Sequence, residues 1–206
     1  MKPMEIEKRS FEIIAEELGD RKIDPEYDLL VRRVIHTTAD FDYYDNLVFS
    51  PHAVEQMKKA IAAGCDVITD TTMAQSGINK KILAQFGGEA RCFIADPDVA
   101  AEAKERGVTR SLVSMEKAAR LDKPLIFAIG NAPTALFSIC ELIRAGKLNP
   151  EMVIGVPVGF VNVVEAKEEL IQTAPHYVVA RGRKGGSNVA AAIVNAVLYQ
   201  MVKREE

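Results

Sequence analysis

The sequence is poor in cysteine, and this limits the kinds of site that the protein can hold. Its three cysteines, Cys65, Cys92 and Cys140, are far apart, and each lies in an apolar stretch. An odd number at these spacings supports neither a disulfide framework nor a zinc site. We therefore predict a reduced protein, located in the cytoplasm, without a bound metal.

Long apolar runs are missing as well. No stretch approaches the length that spans a bilayer, and the start, MKPMEIEKRSFEII, lacks the apolar core of a signal peptide. The net charge of −3 does not favour binding to a polyanion. We therefore expect neither a membrane nor a nucleic acid as a partner, and any basic residues that bind a small anion must be clustered.

Several sequence fingerprints of cofactor and catalytic sites are absent too. No GxGxxG motif follows a predicted strand, and neither an HExxH nor a GxSxG motif occurs. The acidic residues near strand ends, Asp66, Asp70, Asp96 and Asp98, show no metal-ligand spacing, and we interpret them as caps. The sequence therefore predicts no cofactor.

Short apolar runs alternate with helix-like segments from residue 51 onward. Their continuous apolar character is typical of strands that are covered on both faces. The pattern predicts a three-layer α/β/α fold with a mainly parallel sheet of about five strands, in one domain of residues 1–206 with N-terminal helices packed on it. The predicted strands are CDVITD (65–70), RCFIAD (91–96), PLIFAIG (124–130), MVIGVP (152–157) and HYVVA (176–180).

The segments that follow these strands predict a ligand site. In such sheets, ligands bind beyond the carboxyl ends of the strands. Four of the five ends are rich in Gly, Pro, Ser, Thr or Asn, which permit close backbone approach and cap helices. Turn chemistry alone explains any one of these loops, but their occurrence together at one edge favours a bound ligand.

The loop RGRKGG, residues 181–186, is the most distinctive of these ends, and we call it the basic loop. It places Arg181, Arg183 and Lys184 beside Gly185 and Gly186, where a strand passes into a helix. Backbone N–H groups at a helix start, together with these cations, predict an anion site. The motif lacks the order of a phosphate-binding P-loop, so phosphate and carboxylate both stay open, as does a solvated basic turn.

One of the three histidines is a candidate for proton transfer. His52 is interpreted as a surface residue and His176 as a structural one, whereas His36 ends the predicted helix LLVRRVIH. The negative end of the helix dipole favours an imidazolium there, and the neighbouring arginines oppose it. His36 is therefore able to exchange a proton near neutral pH, although a helix-terminal histidine is more commonly only a cap.

Taken together, the motifs resemble those of the precorrin-8X methylmutase family of cobalamin biosynthesis, also called cobalt-precorrin-8 methylmutases. The resemblance covers essentially the whole chain. It rests on RSFEIIAEEL, RVIHTTADFDY, DVITDTTMAQSGI, GNAPTALF, GVPVGFVNVVEAKEEL and RGRKGGSNVAAAIVNA.

The resemblance implies an isomerase that moves a methyl group from C-11 to C-12 of a corrin-type macrocycle, giving hydrogenobyrinate or its cobalt form. The shift is intramolecular, so no methyl donor or cofactor is implied. His36 matches the family's histidine, which exchanges a proton with the tetrapyrrole. Ser10 and Arg33 match positions that contact the substrate, and a homodimer is implied.

The resemblance also identifies the expected anion as a carboxylate of the macrocycle. Its acetate and propionate groups would meet the basic loop, and Val156–Phe160 would line one face of the ring. The residues expected to bind substrate are Ser10, Arg33, Asn131, Arg181, Arg183, Lys184, Gly185, Gly186 and Ser187. Two alternatives stay open: a tetrapyrrole carrier without catalysis, and an enzyme that binds a phosphate ligand through residues 181–186.

Overall fold

The computed structural model describes residues 3–202, which form helices on both faces of one mixed sheet. The strands are β1 (Leu47–Phe49), β2 (Asp66–Thr69), β3 (Ala90–Arg91), β4 (Leu125–Ile129), β5 (Met152–Gly155) and β6 (Tyr177–Ala180). The helices are α1 (Pro3–Leu18), α2 (Asp28–Thr38), α3 (Tyr43–Asn46), α4 (Ala53–Ala62), α5 (Thr72–Gly77), α6 (Lys80–Gln85), α7 (Pro97–Arg106), α8 (Arg110–Ala118), α9 (Pro133–Arg144), α10 (Val163–Thr173) and α11 (Ser187–Met201).

The sheet has the strand order β1-β6-β5-β4-β2-β3. All neighbouring pairs are parallel except β1 and β6, which confirms the prediction of a mainly parallel sheet. The chain runs from β2 to β3 on one side and then returns to place β4 on the other side of β2. The topological switch point, where ligands commonly bind in this class of fold, therefore lies between β2 and β4.

Side chains of the central strands alternate between two apolar layers. In β4, Ile126 and Ala128 pack against one face, whereas Leu125, Phe127 and Ile129 pack against the other. The first layer contains α4 and α11, with α1 and α2 outside them, and the second contains α8, α9 and α10. Both faces of the sheet are thus buried, which explains the continuously apolar strands.

The structure differs from the predicted elements at both edges of the sheet. The prediction missed β1, because three residues with an antiparallel partner carry too little pattern to be recognised. The predicted strand at 91–96 pairs with β2 only through Ala90 and Arg91. Beyond Arg91 the chain turns, with the Asp96 N–H donating to the Phe93 carbonyl at 3.0 Å.

Three helix starts that the sequence predicts lie elsewhere in the structure: an N-cap at Ser50 before Pro51, a second N-terminal helix from Pro25, and a single helix over 76–87. Ser50 does not cap a helix; its hydroxyl accepts the Tyr177 N–H at 2.9 Å, and α4 begins at Ala53. The second N-terminal helix begins at Asp28 rather than Pro25. The predicted helix over 76–87 is divided into α5 and α6, because the Asn79 side chain caps the Ile82 N–H and starts a new helix.

Between residues 3 and 202, the structure has no helix whose length and apolar character would let it cross a bilayer.

Candidate active site at the carboxyl edge of the sheet

Four loops meet where the central parallel strands end, and we call this region the carboxyl edge. They follow β2, β4, β5 and β6, and hydrogen bonds join them directly. The Gly186 N–H donates to the Val156 carbonyl at 2.9 Å, and the Gly159 N–H donates to the Arg183 carbonyl at 3.1 Å. The hydroxyls of Thr71 and Ser187 lie 2.8 Å apart. The basic loop is therefore one part of a connected edge.

Glycines at this edge are required by protein packing. A Cβ atom on Gly185 would lie 2.1 Å from the Val156 carbonyl oxygen, and one on Gly130 would lie 2.6 Å from the Ser187 Cα. Real Cβ atoms do not approach backbone so closely, since interiors are close-packed. The sequence interpretation took the glycine pair 185–186 as room for an anion, but the close approach at Gly185 is to the end of β5.

The switch point between β2 and β4 already holds a carboxylate, that of Asp70. This buried side chain accepts the N–H groups of Gly130, Asn131 and Ala132 at 2.9, 2.8 and 2.7 Å. Burial raises the pKa of Asp70, and the three N–H donors act in the opposite direction. The loop that leads from β4 to α9 is thus held by a carboxylate of the protein itself, although α9 has no side-chain cap.

The loop before α11 has no such carboxylate acceptor within the part of the chain that the structure describes. Gly186 occupies the N-cap position with φ of 141°, and no side chain caps the helix. A 15-residue helix that begins without a cap leaves its first N–H groups unsatisfied by protein. Together with the helix dipole, these groups favour a negative ligand. The candidate anion site of the carboxyl edge therefore lies after β6, away from the switch point.

The three cations of the basic loop have different partners. Arg181 forms a two-pronged ion pair with Glu168, at 3.0 and 3.1 Å, and Lys184 pairs with both Asp40 and Asp42. Arg183 is exposed, has no carboxylate partner within residues 3–202, and its guanidinium lies 5.5 Å from the centre of the Phe160 ring. Arg183 is consequently the cation whose charge is available to a ligand.

The pairs of Lys184 bring the end of α2 to the carboxyl edge. Its ammonium lies 2.5 Å from Asp40 and 2.6 Å from Asp42, and the hydrogen bond from Lys184 lowers the pKa of Asp40. The Arg181 N–H donates to the Asn46 carbonyl at 2.8 Å, which fixes the following segment as well. Because Asp40 is only four residues beyond His36, the histidine lies at the same end of the molecule as the basic loop.

His36 and Ser10 line one cleft of about 310 Å³ between α1 and α2. The imidazole is exposed, and it stacks on Phe11 with ring centres 5.4 Å apart. Neither ring nitrogen is hydrogen-bonded to another residue of the described chain, so both can reach a ligand. The Ser10 hydroxyl donates to the Ile6 carbonyl at 2.9 Å and keeps its lone pairs. The cleft is lined by Ser10, Ile13, Ile14, Glu17, Ile35, His36, Ala39 and Phe41.

Arg33 lies in a neighbouring cleft of about 230 Å³, on another face of α2. Its guanidinium pairs with Glu7 at 2.6 Å, and it lies 4.8 and 5.3 Å from the ring centres of Phe11 and Tyr199. The structure therefore does not place Arg33 in the same cleft as His36. Phe11 separates the two and contacts both side chains.

The remaining candidates are at the carboxyl edge, beside exposed apolar residues. Asn131 is exposed immediately after β4, and Ser187 begins α11. Val158, Phe160 and Val161 in the loop after β5 are 48%, 82% and 76% exposed. Exposed apolar groups of this size commonly mark a ligand or partner surface. No group of His, Cys, Asp and Glu side chains suited to a metal is found among the residues that the structure describes.

Sequence reasoning missed Lys167, which the structure buries completely beneath the basic loop. Its position carried a signal, because it shares the apolar face of α10 with Val163, Ala166 and Leu170, at the spacing of a buried helical stripe. Asp70 was interpreted as a cap, and it does cap a loop. What the sequence did not reveal is that it closes the switch point.

Known proteins of one family resemble this chain over nearly its whole length. The family model of precorrin-8X methylmutase matches residues 5–200. The chain is 49% identical over 205 residues to the cobalt-precorrin-8 methylmutase of Salmonella typhimurium, covering 97% of this chain and 96% of that protein. It is 45% identical to the cobalt-precorrin-8 methylmutase of Priestia megaterium, covering 96% and 88% of the two chains.

A solved structure supports the same assignment. The crystal structure of precorrin-8X methyl mutase from Thermus thermophilus superposes with a TM-score of 0.85 at 40% identity, covering 94% of this chain and 95% of that one. Sequence and fold thus agree over nearly the full length, and the resemblance drawn from the motifs is confirmed. The chain belongs to the precorrin-8X methylmutase family.

Proposed function

We propose that the protein moves a methyl group from C-11 to C-12 of precorrin-8X or cobalt-precorrin-8, with His36 as the proton-transferring residue. The observation that carries the proposal is the placement of the His36 cleft and the open start of α11 at one end of the molecule, linked by the pairs of Lys184 with Asp40 and Asp42. Membership of the family favours an isomerase of cobalamin biosynthesis over a carrier without catalysis.

His36 is suited to exchange a proton with a macrocycle lying across the edge. Its ring is exposed and held by stacking on Phe11, so the imidazole has a defined orientation and accessible nitrogens. Imidazole is the side chain whose charge changes most readily near neutral pH. As the methyl group migrates, His36 would give or take the proton that balances the charge of the ring.

The substrate's carboxylates would meet the basic loop and the start of α11. Arg183 supplies a charge that no described carboxylate neutralises, and Gly185, Gly186 and Ser187 supply backbone at the helix start. Arg181 and Lys184 are paired, so a carboxylate would have to compete with Glu168, Asp40 or Asp42 for them. Asn131 offers an exposed amide on the neighbouring loop.

A flat ring needs more apolar cover than one cleft provides. Val158, Phe160 and Val161 are exposed beside Arg183 and would cover one face. We propose that a second copy of the chain completes the site as a homodimer, because Ile6, Ile13 and Leu29 on α1 and α2 also expose apolar side chains. Ser10 would contact the substrate from the His36 cleft, and Arg33 from the neighbouring one. The cytoplasmic location stays a prediction.

The decisive experiment is substitution of His36. We expect His36→Ala to lower the rate of methyl migration by about 10²–10⁴-fold, which is typical of a lost general acid–base group. Affinity for the macrocycle should change little, because the carboxylate contacts are kept. Conversion is followed by the absorbance change of the ring, using dialysed, chelator-treated protein without S-adenosylmethionine and a substrate labelled in its ring methyl.

His52→Asn is a matched control. His52 is exposed and lies near the opposite end of the sheet, where the neighbouring Ser50 bonds to Tyr177 at the start of β6. Its φ of 59° is one that asparagine tolerates. This variant should turn over like the wild type. Wild-type turnover in His36→Ala, or loss of the methyl label without added donor, would contradict the proposed mechanism.

A further inference from the structure

Lys167 on α10 is the one lysine or arginine that is fully buried within residues 3–202. Lysines almost never lose all contact with water unless they are paired, because the ammonium is strongly hydrated. No carboxylate of the described chain lies within ion-pair distance of Lys167. A cation in this position therefore needs an explanation beyond the packing of α10.

The partners of this ammonium are both in the basic loop. Nζ of Lys167 donates to the carbonyl oxygens of Gly182 and Lys184, each at 2.8 Å. Burial lowers the pKa of Lys167 to about 8, and no neighbouring charge offsets this effect. The lysine is thus a buried donor that holds two carbonyls of one loop, with a charge that the protein leaves uncompensated.

These two contacts determine how the peptide groups of the loop are oriented. In a trans peptide the carbonyl and the following N–H point in opposite directions. Because the carbonyls of Gly182 and Lys184 point at Nζ, the N–H groups of Arg183 and Gly185 point away from it. Neither N–H donates to another group in the part of the chain that the structure describes. The two N–H groups are two residues apart in one loop, and free N–H groups that converge in a loop can form an anion-binding concavity.

We propose that Lys167 is a positioning residue for the carboxylate receptor of this protein. It orients the N–H groups of Arg183 and Gly185 beside the open start of α11, and it places a positive charge behind the carboxylate they receive. The ligand class is a carboxylated macrocycle, so this inference rests on the proposed function. The carboxylate in turn supplies the counter-charge that Lys167 lacks.

A pH dependence follows from this arrangement. A bound carboxylate favours the charged lysine, so affinity should be full below pH 8 and should fall as the pH rises above it. Besides Lys167, the titratable and charged side chains on α10 and on the segments around it are Glu165, Glu168, Glu169, Cys140, Glu141, Arg144, Tyr177, Arg181, Arg183, Lys184, Asp40, Asp42 and Tyr43. Carboxyl and guanidinium groups do not normally titrate between pH 7 and 9.5. Burial raises the pKa of Cys140 to about 11, and the pairs of Lys184 raise its pKa further from this window.

The test compares two substitutions that separate charge from hydrogen bonding. Lys167→Met keeps an unbranched chain of similar length but removes both, whereas Lys167→Gln keeps an N–H donor without the charge. Lys104→Met, at an exposed position on α7, is the matched control. Affinity is measured by absorbance titration with hydrogenobyrinate and with a corrin whose carboxylates have been converted to amides. The kcat and KM values are measured for each variant, together with thermal unfolding.

We expect Lys167→Met to weaken hydrogenobyrinate binding by about 10–100-fold, as for a lost charge-assisted interaction. Binding of the amidated corrin should be unchanged within about threefold, because it carries no charge for Lys167 to recognise. The loss should appear mainly in KM, with Lys167→Gln intermediate and Lys104→Met like the wild type. Wild-type affinity should fall between pH 7 and 9.5, and that fall should be absent in Lys167→Met.

Equal losses for the two corrins would show a purely structural role and overturn the inference, as would unchanged affinity for hydrogenobyrinate. If Lys167→Met does not fold, Lys167→Gln and the wild-type pH profile decide the question on their own. Failure of the wild type to bind or convert any macrocycle overturns the proposed function. Normal wild-type turnover with an unaffected Lys167→Met variant overturns only the role of Lys167.

Discussion

Two strand-to-helix junctions at the carboxyl edge, one after β4 and one after β6, are built alike. They differ in whether a carboxylate of the protein accepts their backbone N–H groups. Each passes from a buried strand through glycine into a helix of at least 12 residues, α9 or α11. At the first, the Asp70 carboxylate accepts three N–H groups. At the second, no described carboxylate accepts the N–H groups of the loop, and Lys167 lies beneath it; neither helix has a side-chain cap.

This difference distinguishes two positions at the edge of the sheet that would otherwise be equivalent candidates for a ligand. The general rule for parallel sheets points to the switch point between β2 and β4. Here an aspartate from the end of β2 fills that position and fastens two loops together. The candidate anion site is two strands away, beside the segment that carries His36. The start of a helix therefore indicates an anion site only when it is known whether the N–H groups there already have acceptors in the protein.

The largest expected effect comes from breaking the filled junction. Asp70→Ala leaves three buried N–H groups without an acceptor, and removal of one partner from a buried charged network typically costs about 3–5 kcal/mol. We expect the free energy of unfolding, measured with urea, to fall by about that amount. Asp122→Ala, an exposed aspartate without a hydrogen bond within residues 3–202, should leave it nearly unchanged. A similar small change for both variants would show that Asp70 does not fasten the edge.

The next largest expected effect is on macrocycle affinity, and it distinguishes two arginines at the junction after β6. Arg183→Ala removes a charge that has no described carboxylate partner, and we expect macrocycle affinity to fall by about 1.5–3 kcal/mol. Arg181→Ala should cost less, because Glu168 already occupies that guanidinium. Absorbance titration at two salt concentrations measures both, and salt should weaken the contact of exposed Arg183. Equal losses would show that the pair with Glu168 opens on binding.

The smallest expected effect is on stability, and it comes from substituting one glycine at each junction. A Cβ on Gly130 meets Ser187 backbone at 2.6 Å, so Gly130→Ala should force the two junctions apart and lower the free energy of unfolding by about 1–3 kcal/mol. Gly182 has φ of 77° and open space around it, so Gly182→Ala should cost only about 1 kcal/mol of backbone strain. Thermal unfolding of both variants gives the order, and a larger loss for Gly182→Ala would contradict this account of packing.

The sequence by itself determined the class of fold, the family and most of the candidate site. Strands that are apolar throughout require both faces of the sheet to be covered, and this pattern can be recognised in the sequence alone. The motif around His36 and the basic loop are contiguous stretches, so both could be singled out. The edge strands β1 and β3 could not be predicted, since two or three residues acquire strand geometry only from a neighbouring strand.

Only the tertiary structure decided which of the predicted groups are available to a ligand. Arg181, Arg183 and Lys184 look alike in the sequence, but their partners come from positions as distant as Glu168 and Asp40. The helical spacing of α10 indicates that Lys167 is buried, but its carbonyl partners, Gly182 and Lys184, lie in a different segment and are shown only by the fold. The charge and the hydrogen-bonding groups of a residue follow from its type. Whether those groups have partners depends on which atoms folding brings within about 3 Å, and a local sequence pattern does not encode this.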